Sequence, residues 1–418
     1  MSRKKAIIIL FLSFGIIGSY GFTYMKGTFY NVMQVALELS DVQLGKIWSV
    51  FGIVGMISYV GGGYFTDRFS PKKIITVALV ISAVLHLYVS FVPSYPVILI
   101  ISALMGISTV FAFFPASSKV LSFLGEDHNS GTVFGLYYAL EGVGGMLINL
   151  TGTRMYMITG NELQTFALVV RLFALLNLLG AIGAYVGLSG IETSEIKGNV
   201  VSFKQLKYVF SQKKVWLIAL ITMCNYWLYC SLTYVTPYLT DLFKVSEDKA
   251  MLCGIIRVNV LALFAGLLFG RLADKKRSAL DVIKIIMPLE CLCSALILIN
   301  QITVKSVLAA IILTMAFAFG TTGVKVISIV LISESDFPLI MTGTIIGVVS
   351  FIGYSPDAFL YPIAGSLMEG HEMQGYFYLF LISSIIAGIA VIGCWKLDRI
   401  RRCVNEKRDE RVPDVSGV

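Results

Sequence analysis

Runs of about 20 apolar residues recur along this chain, each long enough to cross a hydrocarbon core of roughly 30 Å. This feature constrains the fold more than any other. Within lipid the backbone has no water to bond, so a run of this length must close its hydrogen bonds internally as a helix. The composition agrees: 57% hydrophobic and 14% charged residues, with a mean hydropathy of +0.82, where soluble domains carry roughly a quarter charged residues. Repetition of the runs excludes a single-anchor protein. The first run, residues 6–24 behind Arg3, Lys4 and Lys5, resembles a signal peptide in outline. It is too long for one, no small-x-small cleavage site follows, and the helical pattern continues through Lys26 to about Ala36.

Between their breakers the runs predict an all-α polytopic protein with twelve spans, near 6–36, 42–66, 73–92, 96–124, 131–158, 164–188, 214–239, 248–272, 280–300, 304–333, 340–368 and 374–396. These group into an N-terminal six-helix bundle (1–188), a linker (189–213), a C-terminal six-helix bundle (214–397) and a charged tail (398–418). The linker contains FKQLKYVFSQKK, in which Phe203, Leu206, Val209 and Phe210 form the apolar face of a basic helix suited to lying on a membrane surface. A calmodulin-target reading is the alternative.

Lysine and arginine collect on the side that holds both termini and the linker. The opposite side holds only Lys46, Arg154, Lys244, Lys249 and Lys305. The positive-inside rule therefore places both termini in the cytoplasm, in an inner or plasma membrane. That bias accounts for the net charge of +8, so the basic balance does not argue for nucleic acid. The seven cysteines lie mostly in apolar runs, without histidines at metal-ligand spacing, and read as packing residues; no metal or other cofactor is expected. The three histidines, His86, His128 and His371, fall at or near span ends. No nucleophile elbow or phosphate loop appears, so no enzyme is expected.

The chain also repeats itself. GYFTDR (Gly63 to Arg68) follows the second span and GRLADK (Gly270 to Lys275) the eighth; FAFFPASSKVLS (Phe111 to Ser122) lies in the fourth and FAFGTTGVKVIS (Phe317 to Ser328) in the tenth. The offsets, 207 (Gly63 to Gly270) and 206 (Phe111 to Phe317), agree. Six spans per half give both halves one orientation, a parallel repeat about an axis along the membrane normal, with the substrate expected on that axis.

Gly63-x-x-x-Asp67-Arg68, followed by Lys72 and Lys73, resembles the cytoplasmic loop signature of the major facilitator superfamily, and Gly270-x-x-x-Asp274-Lys275 resembles its second copy. The first loop departs from the pattern at Ser70-Pro71. The resemblance implies the two-bundle major facilitator fold, most often a monomer. It gives Gly63, Asp67, Arg68, Gly270 and Asp274 a conformational role, through a helix-end aspartate and a tight glycine contact.

Of 33 basic residues, five fall within spans: Lys26, Lys119, Arg171, Arg257 and Lys325. Each costs roughly 2.5–3.5 kcal/mol at a helix centre, so they are expected to face a wet cavity, a carboxylate or an interface. Lys119 and Lys325 are repeat mates, and as a facing pair of ammonium groups they suit an anion; snorkelling to headgroups is the alternative. Lys26 lies in YGFTYMKGTFYN, with Phe22, Thr23, Phe29 and Tyr30 on its face. This segment and FFPASSK resemble the organic-anion branch of the superfamily, the organophosphate antiporters and anion-cation symporters, where a basic residue at the place of Lys26 binds the anion. Its 206-offset mate is Leu232, beside Thr233, which argues against phosphate-for-phosphate exchange. Arg257 has Phe51 for a mate and suits either a bidentate substrate carboxylate or a structural ion pair within its half. Arg171, near a span end, is expected at an interface.

Glu141, Glu290 and Asp357 are the deep carboxylates. Glu141 precedes Gly142, Gly144 and Gly145, a helix that could kink, and Asp357 lies between Pro356 and Pro362, which are expected to break theirs. Either could carry a coupling proton or neutralise a cation. Asn225, Tyr229 and Thr233 form a stripe that could bond substrate hydroxyls. Together these predict a secondary transporter moving a small organic anion by alternating access. Efflux of an apolar or cationic compound, and a membrane sensor that binds without transporting, are the alternatives.

Overall fold

The computed structural model describes residues 3–124, 130–189, 203–276, 278–335, 337, 342–369 and 372–409. The described residues are helical, and eleven helices are long and apolar enough to cross a membrane. A further helix, Asp41–Arg68, occupies the second predicted span. Span one is Arg3–Tyr24 continued by Lys26–Leu37. The others follow as Pro71–Val89, Tyr95–Leu124, Ser130–Thr159, Glu162–Gly187, Lys213–Phe243, Glu247–Lys276, Ala279–Val304, Val307–Ser328, residues 342–368 and Glu372–Asp409.

Local chemistry sets the boundaries. Ser40 starts span two with a reciprocal capping box, its hydroxyl accepting from the Gln43 amide while the Gln43 side chain accepts from the Ser40 amide. Span one breaks at Met25, and Phe29 has non-helical torsions one turn later. In span four, Pro115 has no N–H to offer the preceding turn, and a π-helical stretch, Ile107–Phe113, lies just before it. Its repeat mate is Thr321, and Val307–Ser328 runs regularly through that position. Span eleven breaks at Tyr354 and Ser355, after which Pro356 begins a new helix. Pro362 stays inside that helix, contrary to expectation. Span five also runs as one helix through its glycines rather than kinking.

Small residues permit close helix packing within each half, as at Gly183 against Phe11 and Gly323 against Phe269. Between the halves, Gly45 packs on the backbone of Tyr361, Gly52 on that of Asp357, and Gly365 on that of Asp41. The Ser49 hydroxyl donates to the Ala358 carbonyl. Spans five and eight meet where Asn149 donates to Asn259 at 3.1 Å. These contacts between the halves lie in the part of the molecule remote from the chain termini, here termed the distal end. At the opposite, proximal end, Asp281, Lys284, Asp398, Arg401 and Arg402 form an ion-pair network between spans nine and twelve. The linker helix is Phe203–Ser211, with Val209 buried and Phe210 exposed. The side chains of Phe203 and Leu206 lie outside the described residues.

Candidate functional site

The break in span one places Lys26 at the start of a helix, 3% exposed and midway through the molecule. Its ammonium lies 3.6 Å from the centroid of the Tyr361 ring, 5.1 Å from Trp48 and 5.5 Å from Tyr24. Tyr361 belongs to span eleven, so the lysine of one half is covered by an aromatic face of the other. Lys325 mirrors this within the C-terminal half, 3.6 Å from the Tyr229 ring and 5.7 Å from Tyr226.

Asp357 lies in the first turn of the helix that Pro356 begins, where the amide dipoles favour an anion. It accepts hydrogen bonds from Tyr226 (2.7 Å), Tyr361 (3.2 Å) and the Cys230 thiol (3.3 Å). Glu141 is half-buried in span five. Ring contacts and hydrogen bonds therefore link Lys26, Tyr361, Asp357, Tyr226, Tyr229 and Lys325. The described ion pairs all fall between Asp281 and Arg402, so neither lysine forms one.

Other expected members sit elsewhere. Lys119 is half-buried in the proximal part of span four. Tyr30 lies behind Trp48 and donates to Asp41 at 2.5 Å, since the turn into span two brings that carboxylate to its hydroxyl. Asn225 donates to the Thr321 carbonyl and ties span seven to span ten. Arg257 is 2% exposed and makes no described ion pair in its half; its guanidinium donates to the Gly27 carbonyl (2.6 Å) and the Thr236 hydroxyl (2.9 Å). Arg171 donates to Ser90 near the distal surface. Glu290 is buried beside Gly320, away from the central site.

Asp67 and Arg68 end the span-two helix as expected; the side chains there, and Gly63, lie outside the described surroundings. Gly270 makes no tight contact. Nothing lies within 4 Å of where a Cβ would stand, and the residue borders a cavity of about 290 Å³ lined also by Asp274 and Glu334.

Sequence reasoning missed Tyr24, Trp48, Tyr226, Cys230 and Tyr361. Two signals were available. Tyr361 follows Asp357 by four residues, and Tyr226, Tyr229 and Cys230 share a face at helical spacing.

Two similar halves closing at one end around a central charged site describe a carrier. The family model of the Major Facilitator Superfamily matches residues 12–360. The chain belongs to the major facilitator superfamily. It is a multi-pass membrane protein and a secondary transporter of the major facilitator type. The inner membrane protein YqcE of Escherichia coli (strain K12) is 24% identical over 401 residues, 94% of each chain. Among solved structures, a bacterial homologue of the human lysosomal transporter Spinster, in an inward-facing and unoccupied conformation, superposes with a TM-score of 0.74 at 13% identity, over 96% of this chain and 98% of that one. The nucleoside transporter NupG gives 0.72 at 14% identity, over 95% of this chain and 99% of that one. These likenesses share the major facilitator fold and leave the branch within the superfamily open.

Proposed function

We propose that this transporter moves a small organic anion bearing hydroxyl groups, such as a sugar acid, sugar phosphate or carboxylate, by alternating access. Proton coupling through Glu141 belongs to the same reading. One observation carries it: Lys26, buried, and Lys325, half-buried, come one from each half and lie against aromatic faces with no carboxylate in ion-pair contact. A desolvated cation–π contact contributes about 2 kcal/mol, whereas burying an ammonium costs several kcal/mol. An anion between the two lysines offsets that deficit, and only when both halves contribute.

Asp357 already accepts three hydrogen bonds and serves to hold Tyr226 and Tyr361 in place. Glu141, half-buried in span five, carries the coupling proton in this reading. Tyr229 and Tyr354 supply hydroxyls at the rim. The carrier works as a monomer in the inner or plasma membrane with both termini cytoplasmic. In that orientation the closed distal end faces outward, and the cytoplasmic loop motifs at Asp67, Arg68 and Asp274 act in switching between states.

Uptake of gluconate, glycerol 3-phosphate and acetate into proteoliposomes, with and without an inward proton gradient, tests this. Uptake of at least one anion, lost on Lys26→Gln or Lys325→Gln, is expected. Uptake that survives both substitutions would refute the anion site.

A further inference from the structure

The Gly27 carbonyl follows Lys26 directly and sits between the break at Met25 and the irregular torsions at Phe29. Two groups of the opposite half grip it: Arg257 Nη2 at 2.6 Å and the Thr236 hydroxyl at 3.1 Å. Arg257 Nη2 also donates to Thr236 at 2.9 Å, which closes a triangle around that oxygen. The reach is short because the backbones nearly touch, a Cβ on Gly254 standing 3.0 Å from the Thr28 Cα and 3.1 Å from the Gly27 carbonyl oxygen. Arg257 itself lies in a π-helical stretch, Ile256–Leu261, which turns its side chain across the interface.

We propose that Arg257 is a positioning residue for Lys26. By holding the Gly27 carbonyl it maintains the break that turns the ammonium onto Tyr361, and it ties that geometry to closure of the distal end. When spans seven and eight withdraw, both donors leave together and Lys26 leaves its aromatic cover. The latch is strong but reversible. A charge-assisted hydrogen bond favours closure, while Arg257 Nε and Nη1 remain buried without a partner, an opposing cost that keeps the two states close in free energy. The inference rests on the proposed role of Lys26, but its test requires no substrate.

Spin labels on two exposed distal positions of opposite halves, Ile158→Cys and Val304→Cys, with exposed Cys403 replaced by serine, report closure by pulsed dipolar spectroscopy. Acetic anhydride labelling of Lys26, mapped by mass spectrometry, reports its cover. Arg257→Gln is expected to lower the closed-to-open ratio by about tenfold, the effect of one charge-assisted hydrogen bond, and to raise Lys26 labelling. Thr236→Val should do both more weakly, and Arg257→Lys should restore much of each. If Arg257→Gln folds and leaves either readout at the wild-type value, the proposal fails. Should that variant not fold, Thr236→Val decides by the same criteria. Loss of anion uptake with both readouts unchanged would support the anion site and overturn the latch; shifted readouts in a protein that takes up no anion would do the reverse.

Discussion

At the scale of single residues, the site works through aromatic surface as much as charge. Lys26 and Lys325 are held by ring faces rather than carboxylates, and a ring shields an ammonium without neutralising it. Tyr361 has three tasks: its ring covers Lys26, its hydroxyl donates to Asp357, and its carbonyl accepts from Tyr234 at 3.1 Å. Tyr361→Phe keeps the ring and loses one hydrogen bond to a charged acceptor, about 1.5–3 kcal/mol, whereas Tyr361→Leu also loses the cation–π face. Anion affinity should therefore fall further for leucine than for phenylalanine, as isothermal titration would show; equal losses would mean that the hydroxyl alone matters. Lys26 was legible in the sequence because an unpaired basic residue inside an apolar run is costly. Arg257 was legible for the same reason, but its partner was not, since a backbone carbonyl leaves no signature in side-chain identity.

At the scale of elements, breaks and close crossings carry the design. Spans one and eleven are interrupted beside Lys26 and Asp357, and each break places its charged residue at a helix start. Spans two and eleven cross through Gly45, Gly52 and Gly365, each lying against opposing backbone. Gly52→Val forces the distal halves apart, since backbone cannot yield as a flexible side chain does. Transport should drop at least tenfold while the monomer keeps its helicity, which circular dichroism and uptake together would check. At the proximal end, Asp398 has a side chain 3% exposed and accepts ion pairs from Lys284, Arg401 and Arg402. Asp398→Asn leaves three cations in close proximity without that carboxylate, so a cost of about 3 kcal/mol is expected, visible as a lower melting temperature in detergent. An unchanged melting temperature would mean that the network is solvated surface charge.

For the molecule as a whole, closure at the distal end defines the state. Hydrogen bonds from Asn31 to Thr240 and Glu247, both 2.9 Å, add to the span-two and span-eleven contacts in joining the halves there. In the proposed orientation Cys403, exposed near the proximal end of span twelve, is cytoplasmic. An impermeant maleimide should label it in inside-out vesicles and spare it in right-side-out ones; the opposite pattern would invert the topology and make the closed end cytoplasmic.

The sequence by itself determined the solvent, the helical class, the twelve spans and the twofold repeat, because these depend on the length and spacing of apolar runs and on internal similarity. It also marked Lys26, Lys325, Glu141 and Asp357 as costly residues in need of partners. Tertiary structure decided which partners they have. It set Lys26 and Lys325 against aromatic rings, moved Tyr30 and Asn225 into supporting contacts, and turned Arg257 onto a backbone carbonyl. The reason is physical: insertion cost is a property of one residue in one helix, whereas a binding site is a distance between helices, set by where small residues let two backbones meet.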